Sequence, residues 1–309
     1  EEPTDSIPSD TPQPSEPICM ISQVATDFGA DGRIDHSINY TYDSEQNLLN
    51  SEQDHDGDGS ADMLYRYTYD DNGNILSEEK SDGEGNPLGR STYTYDDNEH
   101  LRSVEVRNAD DGLIQRSVYT YDPLGNRLSA ELRNHEDALS NRITYTYDDR
   151  ANMLTEELDA DGDGALDTVT TYTYDNDANR LSSESRTADG SLVNRSDYTY
   201  DSDGNRLTRY SDRNGDGVID EFFSTTYDTN GNRTHAESRD QDGQLKRSYT
   251  YTYDHKGNRL TAESRDAEGV LMNHTAYSYN ERGQLILEDQ DVDGDEVVDR
   301  KITYEWICL

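Results

Sequence analysis

The sequence predicts an all-β protein: a ribbon of antiparallel β-hairpins forming a solenoid-like rod of eleven units. Two observations predict it. A motif of the form Y-x-Y-D-x-x-G-N recurs along the chain, and it recurs with a period of 26 or 27 residues. Alternate tyrosines share one face of a β-strand, and Gly-Asn pairs are typical of tight reversals. Each unit is therefore predicted to contain a leucine-type strand, a loop and a tyrosine-type strand.

The aspartate of the motif marks the position of each unit. It occurs at Asp43, Asp70, Asp96, Asp122, Asp148, Asp175, Asp201, Asp228 and Asp254, with Asn280 in the same position. The preceding residue is tyrosine in each of these units, and Trp306 takes this position in the last unit. We expect stacked units to align the tyrosines in columns, so that each ring covers the next and the columns replace an aliphatic core. We expect the glycine and the asparagine of each turn to supply positive φ.

The composition limits the class of protein. The 309 residues include 67 acidic and 27 basic side chains, giving a net charge of -40, and 30% are hydrophobic. Such polarity is typical of disorder, but disordered chains are poor in aromatic residues and this chain has 23 tyrosines. The negative charge argues against nucleic acid as a partner, because its phosphates would be repelled, and favours cations. With no run of about 18 apolar residues, we expect no membrane span.

The chain divides into two parts of different composition. Residues 1–17 are acidic, rich in proline and serine, and contain no repeat, which is typical of a disordered tether. Residues 18–309 form one repeat domain of eleven units. The chain begins without a methionine, as a processed export product would, so we expect an extracellular or cell-surface location.

Four units contain an acidic segment of nine residues that resembles a calcium-binding loop. The segments have the form D-x-D-G-D-G-x-x-D and occur only in units of 27 residues. Carboxylates at alternate positions, with glycines that let the chain curl around an ion, suit Ca²⁺. The predicted ligands are Asp54, Asp56, Asp58 and Asp62; Asp159, Asp161, Asp163 and Asp167; Asp212, Asn214, Asp216 and Asp220; and Asp291, Asp293, Asp295 and Asp299.

These segments are not EF-hands, because the twelfth position lacks the glutamate that an EF-hand requires. The aspartate at the ninth position, or an acidic group of a neighbouring unit, would complete the set of ligands. An incomplete copy begins at Asp27 and ends at Asp35, and it lacks the carboxylate of the third position. The alternative is that the aspartates and glycines only form hairpin turns, as they do in the shorter units.

Units such as YTYDDNGNILSEE and YTYDPLGNRLSAE resemble the YD repeats of Rhs-type and teneurin-type proteins. The resemblance covers residues 38–309 and implies hairpins joined into a long, spiralling β-sheet. The period here exceeds the roughly 20 residues that the resemblance suggests. No toxin or other effector segment follows the last unit in this sequence, so we expect no encoded cargo.

The two cysteines, Cys19 and Cys308, lie just inside the first and last predicted strands. In an open rod of eleven units the two ends would be on the order of 50–100 Å apart, whereas the Cα atoms of a disulfide lie within about 7 Å. A bond within the chain would require the rod to close into a ring. We therefore predict a disulfide between subunits, with Cys308 of one chain joined to Cys19 of the next in place of the missing turn.

These observations predict a structural protein, the subunit of an extracellular, calcium-stabilised fibre that joins copies of itself head to tail. Two alternatives stay open. One is a monomeric, calcium-dependent adhesin tethered at the cell surface, whose ligands would be surface glycans or other cells. The other is a fragment of an Rhs-like shell. We expect no enzyme, because the histidines occupy unlike positions of the repeat and no G-x-S-x-G or phosphate-binding loop is present.

Overall fold

A computed structural model describes residues 17–308, which form 22 antiparallel strands in one sheet. The predicted tether lies outside the described residues except for Pro17. No helix that could cross a membrane occurs in the described part. The strands are β1 (Cys19–Phe28), β2 (His36–Tyr42), β3 (Leu48–Asp54), β4 (Met63–Tyr69), β5 (Ile75–Asp82), β6 (Pro87–Tyr95), β7 (Leu101–Asn108), β8 (Leu113–Tyr121), β9 (Arg127–Arg133), β10 (Leu139–Tyr147), β11 (Met153–Asp159), β12 (Thr168–Tyr174), β13 (Arg180–Thr187), β14 (Leu192–Tyr200), β15 (Arg206–Asp212), β16 (Glu221–Tyr227), β17 (Arg233–Asp240), β18 (Leu245–Tyr253), β19 (Arg259–Asp266), β20 (Leu271–Tyr279), β21 (Leu285–Asp291) and β22 (Arg300–Cys308).

The sheet is a closed barrel and not an open rod. Each strand pairs with its neighbours in the chain, and β1 pairs with both β2 and β22. The pairing of β1 with β22 extends from Cys19↔Cys308 to Phe28↔Arg300, with one bulge after Ile21. The repetitive hairpins agree with the predicted fold class, but the solenoid-like rod is wrong. Closure pairs the two edge strands that an open sheet would expose.

Closure also corrects the predicted disulfide. Cys19 and Cys308 are bonded within one chain across the β1–β22 seam, and their Cα atoms are 3.9 Å apart. The prediction of an intersubunit bond assumed distant ends, and the closed sheet brings the ends together. The head-to-tail polymer was inferred from the same open ends, and closure removes that basis. The disulfide stands where the turn into a twelfth unit would otherwise follow β22.

The D-x-x-G-N turns are held by their aspartate and asparagine side chains. In the β4–β5 turn, one oxygen of Asp70 accepts the backbone N–H groups of Asn72 and Asn74, and the other accepts the Asn74 amide at 3.0 Å. The residue before the asparagine has positive φ, 83° at Gly73 and 63° at Ala151 in another unit. The predicted positive φ is thus confirmed at the glycine position and wrong for the asparagine, which contributes its side-chain amide instead.

In most units, the tyrosine just before the turn forms a hydrogen bond to the preceding unit. The Tyr69 hydroxyl donates to the carbonyl oxygen of Leu48 at 2.9 Å. The β3–β4 pairing ends at Asn50↔Arg66, so Leu48 lies beyond the ladder and its carbonyl needs another donor. Trp306 keeps this contact, because its indole N–H donates to Leu285 at 2.8 Å. The same bond is made by Tyr42, Tyr95, Tyr121, Tyr147, Tyr200, Tyr227, Tyr253 and Tyr279.

In six units, the tyrosine of the other column packs against an arginine side chain. The Arg180 guanidinium lies 5.0 Å from the centre of the Tyr198 ring, and Arg206 lies 5.7 Å from the same ring. Within residues 17–308, the aromatic rings that contact each other include no pair of two tyrosines. The predicted stacking of ring on ring is therefore wrong. Cation–π contacts and hydroxyl hydrogen bonds join neighbouring units instead.

The opposite face of the sheet is polar. Thr68 and Ser77 share a hydrogen bond of 2.6 Å between their hydroxyls, and this pair recurs in most units. Further along the strands, Glu131 forms ion pairs with Arg133 at 2.7 Å and with Arg142 at 2.5 Å. Because these pairs are partly exposed, each contributes at most about 1 kcal/mol.

Very little of the chain is buried. Among the described residues, the buried apolar side chains are Ala25, Tyr198 and Ala236. Several buried groups are aspartates, whose carboxylates accept backbone N–H groups, whereas the buried hydroxyl of Ser264 has no hydrogen-bond partner among the described residues. The fold is therefore held mainly by the continuous strand ladder and by contacts between equivalent positions of successive units.

We expect the fold to lose stability in alkaline solution above about pH 10. Burial, with Glu78 nearby, raises the pKa of Tyr67 to about 12, and burial and Glu288 raise the pKa of Tyr304. Unfolded tyrosine has a pKa of about 10, so these groups stabilise the fold below that pH and lose their contribution as pH rises through the folded pKa. Absorbance of tyrosinate should rise together with loss of the β-sheet circular dichroism signal. If the tyrosines instead titrate near pH 10 while the β-sheet signal is unchanged, this expectation is wrong.

Candidate metal-binding loops

The four acidic segments lie at one rim of the closed sheet. They connect β3 to β4, β11 to β12, β15 to β16 and β21 to β22, and all odd-to-even connections of an antiparallel meander share one rim. The D-x-x-G-N turns occupy the other rim. In each segment the first aspartate is also the last residue of the preceding strand, so the strand fixes its direction.

The first aspartate of each segment is buried and organises the loop. Asp54 is 8% exposed; its two carboxylate oxygens accept the N–H groups of Gly57 at 2.7 Å and Gly59 at 2.9 Å. Asp159, Asp212 and Asp291 are likewise buried. They accept equivalent bonds from Gly162 and Gly164, from Gly215 and Gly217, and from Gly294 and Glu296.

These hydrogen bonds keep the first carboxylate charged. Burial of Asp54 works to raise its pKa, but the N–H groups of Gly59 and Gly57 outweigh burial and the pKa lies below its ordinary value. The pKa of Asp291 is lowered by the same balance, with donors from Gly294 and Glu296. Both groups are therefore carboxylates at neutral pH, the form that a metal ion requires.

The aspartate at the ninth position closes the base of the loop. One oxygen of Asp62 accepts the backbone N–H of His55 at 2.7 Å. Its own N–H donates to the carbonyl oxygen of Gln53 at 2.7 Å. The same side-chain bond is formed by Asp35, Asp167, Asp220 and Asp299. The incomplete copy thus keeps the hydrogen bonds of its first aspartate, Asp27, and of its ninth-position aspartate, Asp35.

The first glycine of each segment permits close packing of successive loops. A Cβ atom at Gly57 would lie 2.2 Å from the carbonyl oxygen of Ile34, and φ at Gly57 is 70°. A Cβ at Gly294 would lie 2.1 Å from the carbonyl oxygen of Leu271. Any other residue would force the backbones apart. The glycine therefore serves loop packing as well as curvature around an ion.

Three of the four loops bring carboxylate oxygens together. The groups are Asp54, Asp56 and Asp58; Asp159, Asp161 and Asp167; and Asp291, Asp293 and Asp295. In each group the oxygen atoms lie within 4.8 Å of one another. Asp62, Asp163 and Asp299 were also predicted as ligands, but they do not belong to these groups. In the loop that begins at Asp212, Asn214 donates its amide to Asp216 at 3.2 Å.

Three convergent carboxylates are hard oxygen ligands, and together they carry more charge than a divalent cation neutralises. Ca²⁺ takes six to eight oxygen ligands, which carboxylates, backbone carbonyls and water supply. The loops also hydrogen-bond as turns without an ion, since Asp58 accepts the N–H of Ser60 at 2.7 Å. The geometry is thus compatible with the predicted calcium sites and with the alternative of plain turns.

One residue at the seam, Arg282, does not belong to any of the predicted sites. Arg282 donates from Nη1 to the sulfur atoms of Cys19 at 2.9 Å and Cys308 at 3.1 Å. The basic residues Arg150 and Lys256 occupy the same position in other turns and reach carbonyl oxygens of the following turn. This positional pattern is the signal that could have identified Arg282.

Comparison with known proteins finds similarity only in solved structures. No protein family and no curated protein matches the chain. A structure of TcdB2-TccC3-Cdc42 is 16% identical with a TM-score of 0.43, and the match covers 84% of this chain and 15% of that chain. A structure of TcdB2-TccC3 is 12% identical, with a TM-score of 0.35 over 88% of this chain and 17% of that chain. A porin-like protein from Bacteroides uniformis ATCC 8492 is 11% identical, with a TM-score of 0.34, covering 93% of this chain and 98% of that one.

The chain spans less than a fifth of the length of the TcdB2-TccC3 chains that it matches. At these TM-scores the similarity bears on no activity or partner of this chain. The resemblance to YD repeats continues to rest on the repeated Y-x-Y-D-x-x-G-N motif.

Proposed function

We propose that this chain is a structural protein, a hollow shell module of the YD-repeat type that acts outside the cell and performs no catalysis. The observation that carries the proposal is closure: β1 pairs with β22, and a disulfide joins the two strands at Cys19 and Cys308. Disulfides persist in oxidising compartments, which favours export. Of the functions considered from sequence, a shell is the one that needs a closed sheet.

The surface area favours a hollow interior. A compact monomer of 35.0 kDa exposes about 13,000 Å², whereas this chain exposes 19226 Å². A circular sheet of 22 strands spaced about 4.8 Å apart, with the tilt usual in closed sheets, has a radius of roughly 20 Å. Side chains do not fill such a space, and the small number of buried apolar residues within 17–308 agrees with solvent on both faces.

Small-angle X-ray scattering tests the shell directly. We expect a monomer of roughly 60 Å maximum dimension whose radius of gyration exceeds the about 19 Å of a compact domain of this length. A rod longer than about 100 Å, or fibres of indefinite length, would contradict the shell and would favour the open ribbon predicted from the sequence. A radius of gyration near 19 Å would show that the interior is collapsed.

We further propose that calcium stabilises the rim of this shell. The three groups of convergent carboxylates support the proposal, as does the net charge of -40, which bound cations would reduce. Binding to the folded state alone would stabilise it by about 2.7 kcal/mol per site at a hundredfold excess of ion over Kd. An adhesin would share these loops, but no described feature identifies a glycan or cellular ligand.

Addition of Ca²⁺ should raise the melting temperature, and EDTA should lower it again. Changing Asp56 and Asp58 together to Asn should remove one site, because both carboxylates belong to one convergent group. Asp242→Asn is the matched control, since Asp242 lies in a short turn of the same rim. Calorimetric titration should then show one site fewer in the double variant alone. An unchanged melting curve with calcium would favour the alternative that the segments are only turns.

A further inference from the structure

The basic side chains in the third position of the D-x-x-G-N turns extend toward the next unit. Arg150 and Lys256 contact carbonyl oxygens there, whereas Arg282 contacts the disulfide. In the middle of the sheet, Arg150 donates from Nη1 to the carbonyl oxygen of Asn176 at 2.8 Å. At the seam no further turn follows, and the sulfur atoms of Cys19 and Cys308 occupy the corresponding place. Arg282 thus places a guanidinium in contact with both sulfur atoms of the disulfide.

We propose that Cys19–Cys308 is a site of thiol–disulfide exchange, in which Arg282 stabilises the thiolate that leaves. Cys308 is an exposed residue, whereas Cys19 is half-buried. Attack by an external thiolate is therefore directed to the sulfur of Cys308. The departing sulfur is that of Cys19, which Arg282 contacts at 2.9 Å.

The exchange needs a dithiol as its reductant. The first thiolate of the dithiol bonds to the sulfur of Cys308, the Cys19–Cys308 bond breaks, and its electron pair remains on Cys19 as a thiolate. The second thiolate of the dithiol then attacks the mixed disulfide, which releases the Cys308 thiolate and the cyclic, oxidised reductant. Two electrons pass to the protein, and the two thiolates take protons according to their pKa values.

The charge of Arg282 favours the first of these steps. A thiol with a lower pKa leaves faster, and a nearby arginine lowers the pKa of a thiol. The rest of the chain is strongly acidic and would otherwise oppose a new negative charge. The seam would thus be closed by a bond that can be opened selectively, while the ladder of β1 and β22 remains in place.

The rate of reduction by dithiothreitol tests the proposal. We expect Arg282→Gln to slow reduction about three- to tenfold, Arg282→Lys to restore much of the rate, and Arg150→Gln to leave the rate unchanged. A purely structural role predicts the opposite sign. If Arg282 only braced the seam, its loss would loosen the strands, and reduction would become faster. An unchanged or increased rate in Arg282→Gln overturns the proposal.

A second measurement does not depend on how well the Arg282 variants fold. In Cys308→Ser, the remaining Cys19 thiol should react with iodoacetamide with an apparent pKa well below the ordinary value of about 8.5. The matched measurement on Cys19→Ser should show a smaller shift for Cys308. A Cys19 thiol that titrates at or above about 8.5 would overturn the role of Arg282.

Discussion

Reduction of the Cys19–Cys308 disulfide is expected to lower the free energy of unfolding by about 5 kcal/mol. The bond spans 289 residues of sequence, and the entropy that a cross-link removes from the unfolded chain increases with the length of the loop. Urea unfolding of the oxidised and reduced protein, followed by circular dichroism, measures the difference.

Cys308→Ser serves as the control, because it should unfold like the reduced protein and should not respond to reductant. Electrophoresis without reductant should show the oxidised wild type as a monomer. A ladder of multimers that is converted to monomer on reduction would instead support the disulfide between subunits that was predicted from the sequence. Equal unfolding midpoints with and without reductant would show that the β1–β22 ladder alone sets the stability of the seam.

Tyr198→Ala is expected to destabilise the fold by about 3 kcal/mol or more. Tyr198 is 8% exposed, and its ring lies between the guanidinium groups of Arg180 and Arg206. Its hydroxyl also accepts a hydrogen bond from Arg180 at 3.2 Å. Truncation removes the packing and the cation–π contacts with both arginines, so that Arg180 keeps only its contact with Tyr172 at 5.6 Å. Thermal or urea unfolding gives the loss of stability.

The neighbouring position provides the matched control. Thr199 lies on the opposite, exposed face and shares a hydrogen bond of 2.6 Å with Thr208, so Thr199→Ala should cost about 1 kcal/mol or less. Tyr198→Phe should fall between the two, because the ring stays and only the hydroxyl is lost. Equal tolerance of Tyr198→Ala and Thr199→Ala would show that the tyrosine face does not stabilise the sheet.

Much of the local structure follows from the repeat. The turn at Asp70, for example, could be predicted because an aspartate, a glycine and an asparagine at fixed spacing suffice to reverse a chain. The paired tyrosines predicted the strands on either side. The acidic segments were expected in the loop that follows the leucine-type strand, and Asp54 and Asp159 are each the last residue of such a strand. These features depend on residues close in sequence, whose interactions one unit already contains.

The details of the candidate sites needed the tertiary structure. The ninth carboxylate joins the convergent group in one loop, at Asp167, and does not in the loop of Asp62. This difference depends on side-chain directions that the shared motif does not specify. Arg282 is a clearer case, because it lies 263 residues from Cys19 in sequence and contacts it only across the seam.

The sequence by itself determined the strands, the turns, the period and the phase of the acidic loops, because each follows from contacts within one unit or between adjacent units. Only the tertiary structure decided that the ribbon closes. Closure depends on the twist and stagger that accumulate over 22 strands, and a small change per strand separates an open rod from a ring. That accumulated curvature places Cys19 beside Cys308 and makes an internal bond from what the sequence predicted as a link between chains.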